Sequence, residues 1–119
     1  MERSNSNCNL GKIGESKAAQ YLVDSGFQIL VRNYRWKSYE VDIIAQDKDL
    51  LLAVEVKTTA GIKHLKNPFS LSQLKRVSAA FNQFADQQGA LKEMRIDGII
   101  YYKKREALVH LKEIFIPGV

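Results

Sequence analysis

The chain has 119 residues, of which 45% are hydrophobic and 26% charged, values typical of one globular domain with its own core. No apolar run approaches the roughly 20 residues of a membrane-spanning helix, and no secretory leader pattern opens the chain. The single cysteine, Cys8, excludes an internal disulfide. These features predict a cytoplasmic protein without a membrane partner. The net charge of +5 fits a polyanionic partner, although solvated surface lysines and arginines give the same balance.

The N-terminal region predicts a short leader followed by a helix. Residues 1–9 are rich in Ser and Asn and are expected to form a flexible leader, which leaves residues 10–119 as a single domain. From Gly11 to Ser25 the apolar residues recur at helical spacing, and Gly26 is placed to end the helix.

One acidic residue of this helix, Glu15, stands out. It shares a helix face with Ala18, Ala19 and Leu22, so it tilts toward the core side of the helix. The ordinary interpretation is a first-turn glutamate favoured by the helix dipole. The functional interpretation is a carboxylate that reaches a site on the neighbouring sheet. The sequence leaves both open.

The next segment, Phe27–Trp36, predicts the first strand. Its two arginines, Arg32 and Arg35, suit either contacts with a nucleic acid or an ordinary solvated strand edge. An aromatic residue such as Trp36 is more often a core or rim residue than a base-stacking one.

The stretch from Tyr39 to Thr59 predicts two apolar strands joined by the polar turn Gln46–Asp49. Each strand carries charges where a core strand is normally neutral. Asp42 lies in the first strand, and Glu55 and Lys57 lie near the end of the second. A charged side chain in an apolar strand is costly unless it is paired, solvated or bound to a metal.

The alternation of side chains along strands brings these charges to one face. A hairpin centred on Asp47-Lys48 places Asp42 opposite Ala53 and diagonal to Glu55, with Glu40 opposite Glu55. A solvated sheet face explains such a pattern equally well. However, like charges opposite one another are destabilising without a cation between them. Two converging carboxylates beside an ammonium group indicate a magnesium-type ion with room for water and a phosphate.

The C-terminal half completes the fold. Its predicted parts are a basic loop at 60–67, a helix from the cap Ser70 or Ser72 to Gln88 with Gly89 after it, and strands at 95–102 and 107–115. The order helix, three strands, helix, two strands predicts an α/β fold, with a mixed sheet of about five strands flanked by helices. The two histidines, His64 and His110, lack ligand spacing and are predicted to be structural or exposed.

Basic residues are spread around the predicted acidic site. They are Arg32, Arg35, Lys37, Lys63, Lys66, Lys75, Arg76 and Lys103-Lys104-Arg105. A small acidic site within a basic surface is what a metal-dependent nuclease needs, because the surface attracts phosphates while the acids hold the cation. For any one of these residues, a solvated surface position is the simpler interpretation.

Five short segments resemble a known family. They are Gly11-x-x-Gly14-Glu15-x-x-Ala18, Arg32-Asn33, Glu40-Val41-Asp42-Ile43-Ile44-Ala45, Val54-Glu55-Val56-Lys57-Thr58 and Arg95-Ile96-Asp97. Together they are similar to the YraN-like family of bacterial proteins. That family is assigned to the PD-(D/E)-x-K nuclease superfamily, near the Holliday-junction resolvases and restriction endonucleases. The Glu-x-Lys element alone is weak, and its order and spacing after the other segments make the match more specific.

The resemblance implies a restriction-endonuclease-like fold, Mg²⁺ or Mn²⁺ as cofactor, and DNA as partner, with branched recombination or repair intermediates among the candidate substrates. It implies that Asp42 and Glu55 are metal ligands, that Glu15 completes the metal site, and that Lys57 orients or deprotonates the attacking water. Lys75 falls where the following helix often supplies a side chain to the site. The contacts expected with nucleic acid are Arg32, Arg35, Lys63, Lys75 and Arg76.

Two other classes of function remain open from the sequence. One is a nucleic-acid-binding module of the same fold that is catalytically weak or inactive. The other is an assembly protein whose basic surface serves solubility. The apolar segment Ile114-Phe115-Ile116 suits either the last core strand or a homodimer edge.

Overall fold

The computed structural model describes residues 6–61, 68–89 and 92–117. Its elements, in chain order, are α1 (Ser6–Asp24), β1 (Gln28–Trp36), β2 (Tyr39–Gln46), β3 (Leu50–Thr59), α2 (Leu71–Gln88), β4 (Glu93–Tyr102) and β5 (Ala107–Phe115). The predicted order of helices and strands is confirmed. None of the described helices is both long enough and apolar enough to span a bilayer.

The five strands form one mixed sheet in the order β1-β2-β3-β4-β5. All neighbours are antiparallel except β3 and β4, which run parallel. A parallel pair needs a long crossover connection, and the chain between β3 and β4 that contains α2 supplies it. The strand that carries Glu55 and Lys57, β3, is therefore central in the sheet and covered on both faces.

The two helices cover opposite faces of this sheet, and the buried residues of β3 alternate between the two apolar layers that result. The apolar layer between α1 and the sheet consists of Ala18, Leu22, Ile43, Ala45, Leu52, Val54 and Ile99. The layer between α2 and the sheet consists of Val41, Ile44, Leu51, Ala53, Leu74, Val77, Ala80, Phe81, Phe84 and Ile96. Each large aliphatic or aromatic side chain buried in these layers contributes about 1.5–3 kcal/mol to folding.

Helix α1 begins earlier than predicted. It starts at Ser6, inside the segment 1–9 that was predicted to be a flexible leader; residues 1–5 lie outside the described part of the chain. Ser, Asn and Gly have low helix propensities, and they are common in the first residues of α1. The sequence therefore did not predict this first stretch of helix. Glu15 is therefore in the middle of α1, so the interpretation as a first-turn glutamate favoured by the helix dipole is wrong.

The helix ends follow the sequence more closely. Gly26 adopts a φ of 101° just after α1, and Gly89 adopts a φ of 66° at the end of α2. Both angles are left-handed, which glycine adopts without steric cost. The hydroxyl of Ser70 caps α2 by accepting a hydrogen bond from the backbone N–H of Gln73 at 3.2 Å.

The register of the β2–β3 hairpin differs from the prediction by two residues. Ala53 pairs with Ile44, whereas the prediction placed it opposite Asp42. The cause lies in the turn, where the carboxylate of Asp47 accepts the N–H groups of Asp49 and Leu50 at 2.8 Å each. This centres the turn on Lys48-Asp49. Because the shift is by an even number of residues, it does not move any side chain to the other face of the sheet.

Candidate active site

The candidate site lies where β2 and β3 stop pairing. Their regular pairing ends at Ile43 and Val54. At the next position the two carboxylates replace the missing backbone acceptors. The N–H of Asp42 donates to Oε1 of Glu55 at 3.1 Å, and the N–H of Val56 donates to Oδ2 of Asp42 at 2.8 Å. These reciprocal bonds satisfy two buried backbone donors and hold both carboxylates at the point where the strands separate.

The carboxyl group of Glu55 is buried, and that of Asp42 is half-buried. Glu55 is 3% exposed. Burial and then the nearby negative charge of Asp42 raise the pKa of Glu55 to about 8. Burial also raises the pKa of Asp42 to about 6, with the charges of Glu15 and Glu40 adding to the rise and the Val56 N–H opposing it. Within the described ranges, neither carboxylate forms an ion pair.

Lys57 is the positive charge nearest in sequence to this pair. Its side chain lines the same cleft as Asp42. Its charge opposes the rise in the pKa of both Asp42 and Glu55, which places it within electrostatic reach of the two carboxylates. Glu55, however, lines the cleft on the other side of the sheet, beside α2, so the prediction that all three charges share one face is wrong. Asp42 lines both clefts and lies between the other two residues.

Glu15 reaches the site because α1 lies very close to β3. A Cβ atom at Gly14 would overlap the side chain of Thr58, so only glycine permits this approach. Glu15 consequently lines the same cleft as Asp42 and Lys57. Its carboxylate accepts hydrogen bonds from Nη2 of Arg32 and Nδ2 of Asn33, both at 3.1 Å.

Two clefts meet at Asp42, one on each face of the sheet. The cleft beside α1, here called the α1 cleft, has a volume of about 530 Å³ and is lined by Leu10, Gly11, Lys12, Glu15, Asn33, Asp42, Val56, Lys57 and Thr58. The cleft beside α2, here called the α2 cleft, has a volume of about 340 Å³ and is lined by Ser38, Tyr39, Glu40, Asp42, Glu55, Val56, Gln73, Arg76 and Val77. The site is therefore open to solvent from both sides.

One polar residue of the site escaped the sequence analysis. Nε2 of Gln73 donates to Oε2 of Glu55 at 2.7 Å, so both oxygens of Glu55 accept a hydrogen bond. The prediction assigned this part of α2 to Lys75 instead. Gln73 lies four residues before the buried Val77 and eight before the buried Phe81. This helical spacing places Gln73 on the inner face of α2.

The basic residues expected to contact nucleic acid fall into different settings. Arg32 is paired with Glu15 at 3.1 Å, and Arg35 lies 3.5 Å from Glu40 but remains 70% exposed. Arg76 lines the α2 cleft. Lys75 is exposed on α2, and Lys63 lies outside the described residues. Lys12 in the α1 cleft is a cation of the site that the prediction did not include.

Two of the three predicted carboxylates lie together, and the third is engaged elsewhere. Among residues 6–61, 68–89 and 92–117, no three His, Cys, Asp or Glu side chains form a group that could hold a metal ion. Asp42 and Glu55 converge as a pair, while Glu15 is held by Arg32 and Asn33.

Comparison with known proteins places this chain in a defined family. Residues 14–101 match the model of the uncharacterised protein family UPF0102. The chain belongs to this family. UPF0102 members that resemble it include a protein from Parabacteroides distasonis, 31% identical with 97% of this chain and 96% of the relative aligned. A protein from Flavobacterium psychrophilum is 32% identical over 90% of this chain and 93% of its own length.

Other UPF0102 members align over a shorter segment. A protein from Chlorobium chlorochromatii is 49% identical over 63 residues, which are 53% of this chain and 49% of the relative, so this match spans about half the length of that protein. The segment matched to the family model begins at Gly14, where α1 contacts Thr58. It includes Glu15, Asp42, Glu55, Lys57 and Gln73.

Proposed function

We propose that this UPF0102 member is a metal-dependent endonuclease that hydrolyses DNA phosphodiester bonds, with Mg²⁺ or Mn²⁺ held by Asp42 and Glu55. The observation that carries the proposal is the pair of neighbouring carboxylates, Glu55 buried and Asp42 half-buried, with raised pKa values at the end of the β2–β3 pairing. A fold that keeps two uncompensated acids side by side loses stability, and a divalent cation between them would remove that cost.

The donor set fits such an ion. Mg²⁺ prefers oxygen ligands and is commonly bound by one or two carboxylates, with water and substrate phosphates completing its coordination. Two carboxylates that open into solvent-accessible clefts match this requirement. When bound, the ion would lower the pKa of the attacking water and neutralise charge developing on the phosphate.

The surrounding residues have separate tasks in this proposal. The hydrogen bond from Gln73 fixes the orientation of the Glu55 carboxylate. The ammonium group of Lys57 contacts the attacking water or a phosphate oxygen from the α1 cleft. Glu15, held by Arg32 and Asn33, adds negative charge on the same side and raises the pKa of Asp42.

The distribution of charge supports DNA as the proposed partner. The chain carries a net charge of +5, yet its candidate site is acidic. A basic protein with Lys12, Lys57 and Arg76 lining the two clefts attracts a polyanion to a site that holds a cation. DNA, with branched recombination or repair intermediates among the forms to be tried, is the substrate class that this supports best.

The test is a nicking assay on branched, single-stranded and duplex DNA, with Mg²⁺, with Mn²⁺ and with EDTA. The variants are Asp42→Asn and Lys57→Met, and the matched controls are Asp49→Asn and Lys48→Met in the exposed turn of the same hairpin. We expect metal-dependent cleavage by wild type and both controls, and loss of cleavage in both site variants. Equal cleavage by all five proteins would show that a contaminant is responsible and would refute the proposal.

A second candidate is a nucleic-acid-binding module of the same fold without chemistry. The hydrogen bonds from Arg32 and Asn33 to Glu15 favour this candidate. They hold the Glu15 carboxylate away from Asp42 and Glu55, so it does not act as a third ligand for a metal ion. This candidate predicts salt-sensitive DNA binding with no cleavage under any metal and no heat of Mg²⁺ binding by calorimetry. Those results together would replace the nuclease proposal.

A further inference from the structure

The tip of the β1–β2 hairpin places two aromatic rings beside the α2 cleft. Trp36 and Tyr39 are paired across the hairpin, with ring centroids 6.1 Å apart and an interplanar angle of 62°. Lys37 and Ser38 form the turn between them, and Lys37 adopts a φ of 60°. Ser38 and Tyr39 line the α2 cleft together with Asp42 and Glu55. The aromatic tip is therefore continuous with the candidate active site.

Positive charge accompanies these rings. The ammonium group of Lys37 lies 4.6 Å from the centroid of the Trp36 ring. Arg76 lines the α2 cleft next to Tyr39, and Arg35 is 70% exposed on the strand that leads to the tip. Two partly exposed aromatic rings with Lys37 on one of them and Arg76 in the same cleft as the other form the combination that single-stranded nucleic acids recognise, since bases stack on the rings and phosphates bind the cations.

Packing explains only part of this arrangement. The rings of Trp36 and Tyr39 rest on the apolar layer under α2, but both remain partly exposed. Tyr34, on the same strand, shows what a purely structural aromatic looks like here. It packs edge-on against Phe84 with centroids 5.2 Å apart, and its hydroxyl donates to Oε1 of Gln87 on α2 at 3.5 Å.

We propose that Trp36 and Tyr39 form a stacking site for an unpaired base of DNA, and that Lys37 and Arg76 bind the phosphates that connect this base to the Asp42–Glu55 pair. This inference rests on the proposed function and narrows its substrate class. A substrate that fits has a single-stranded stretch next to the phosphate in the active site, as at a fork, flap or gap. A continuous duplex keeps its bases stacked on one another and offers none to the rings.

Trp36 is the only tryptophan in the chain, so its fluorescence reports directly on this site. The full-length protein is titrated in EDTA at low salt with a short oligothymidylate, and separately with a duplex of the same length. We expect the oligothymidylate to quench the fluorescence and to bind at least about fivefold more tightly than the duplex. Binding of oligothymidylate that leaves the fluorescence unchanged would overturn the proposal, and so would equal affinity for both ligands.

Variants test the same point by anisotropy of a labelled oligothymidylate. Trp36→Leu and Tyr39→Leu should each weaken binding about 5- to 50-fold, whereas Trp36→Phe, which keeps a stacking ring, should weaken it less than threefold. Tyr34→Leu is the matched control and should leave binding unchanged. Circular dichroism melts confirm that each variant is folded at the assay temperature. A Trp36→Phe variant as weak as Trp36→Leu would count against stacking.

The two proposals fail separately. Quenching of Trp36 without cleavage under any metal would leave the stacking site in place and remove the nuclease. Metal-dependent cleavage with unchanged affinity in Trp36→Leu and Tyr39→Leu would leave the nuclease in place and remove the stacking site.

Discussion

Asp97 in β4 and the Asp42–Glu55 pair lie in the same sheet, but they differ in how their charge is balanced. Asp97 is fully buried and accepts four hydrogen bonds. Two come from the Arg95 guanidinium at 2.8 and 2.9 Å, one from His110 at 2.7 Å and one from the N–H of Glu113 at 2.8 Å. Burial raises the pKa of Asp97, but these bonds outweigh it and hold the pKa below its ordinary value.

Asp97 and Glu55 are both buried, so the difference between these two carboxyl groups lies in their hydrogen-bond donors. Arg95 supplies a full positive charge to Asp97 in direct contact, whereas the hydrogen-bond donors of Asp42 and Glu55 are neutral and the charge of Lys57 only partly opposes the rise in their pKa values. His110 also bonds Tyr21 of α1 at 2.9 Å, so the Asp97 cluster joins α1, β4 and β5. His110 was predicted to be structural or exposed, and these contacts show that it is structural. His64 lies outside the described residues. The first cluster links three elements of the fold, whereas the second leaves two neighbouring acids without an ion-pair partner among the described residues.

Among the variants that test this difference between the two clusters, Glu55→Gln is expected to have the largest effect on activity. The amide keeps the size of the side chain but removes its charge, so Mg²⁺-dependent nicking should fall by roughly 10³-fold. At pH 8 without metal, the free energy of unfolding should rise by about 1–3 kcal/mol, because a buried unpaired charge is removed. Nicking and urea denaturation of the same preparation measure both. A variant that loses activity and stability together would contradict the assignment.

The opposite pattern is expected for Asp97→Asn. Removing this charge leaves Arg95 without its partner, so the free energy of unfolding should fall by about 2–4 kcal/mol. Activity per folded molecule should stay within about twofold of wild type at a temperature where the variant is folded. Glu93→Gln, at the exposed start of the same strand, is the control and should change neither quantity. Unchanged stability in Asp97→Asn would refute the structural role.

The dependence of stability on pH should also separate the two clusters. Between pH 4.5 and about 8 the folded protein binds more protons at Glu55 than the unfolded chain does, because the pKa is raised in the fold. Stability without metal should therefore fall as pH rises through this window, and Glu55→Gln should flatten the slope. The lowered pKa of Asp97 acts in the other direction, since its contribution is lost as pH falls below the ordinary value of 3.8. Urea midpoints across the pH range measure both; a wild-type slope that persists in Glu55→Gln would assign the titration to other groups.

The smallest expected effect concerns Gln73→Leu. Loss of the 2.7 Å bond frees one oxygen of Glu55 and should reduce nicking about 10- to 100-fold. The apparent Mg²⁺ requirement should rise, because the ligand is less well oriented. Gln83→Leu, elsewhere on α2, serves as the control. An effect on DNA affinity alone would instead assign Gln73 to substrate binding.

Much of this architecture is readable from local chemistry, and the exceptions have identifiable causes. The cap at Ser70 and the helix end at Gly89 follow from backbone needs that few residues meet. The register of the hairpin was not readable, because all four residues of Gln46–Asp49 are polar and the hydrogen bonds of Asp47 decide between two centres. The start of α1 was hidden by weak helix formers.

The candidate site was predictable as residue types but not as contacts. Asp42, Glu55 and Lys57 stood out because charges interrupt apolar strands. The role of Gln73 depended on the phase of α2 relative to β3, which periodicity allows but does not set. The pairing of Arg32 with Glu15 depended on how closely α1 packs at Gly14, a contact between elements that no single segment encodes.

The end of the β2–β3 pairing has a consequence for hydrogen exchange. The amide hydrogens of Asp42 and Val56 are held by carboxylates, whereas those further along the hairpin are held by backbone carbonyls. An ion that draws these carboxylates toward itself weakens both bonds. Deuterium uptake at these two amides should then accelerate while uptake at Ile43 and Val54 stays slow, so the backbone itself carries a readout of whether the acids are engaged.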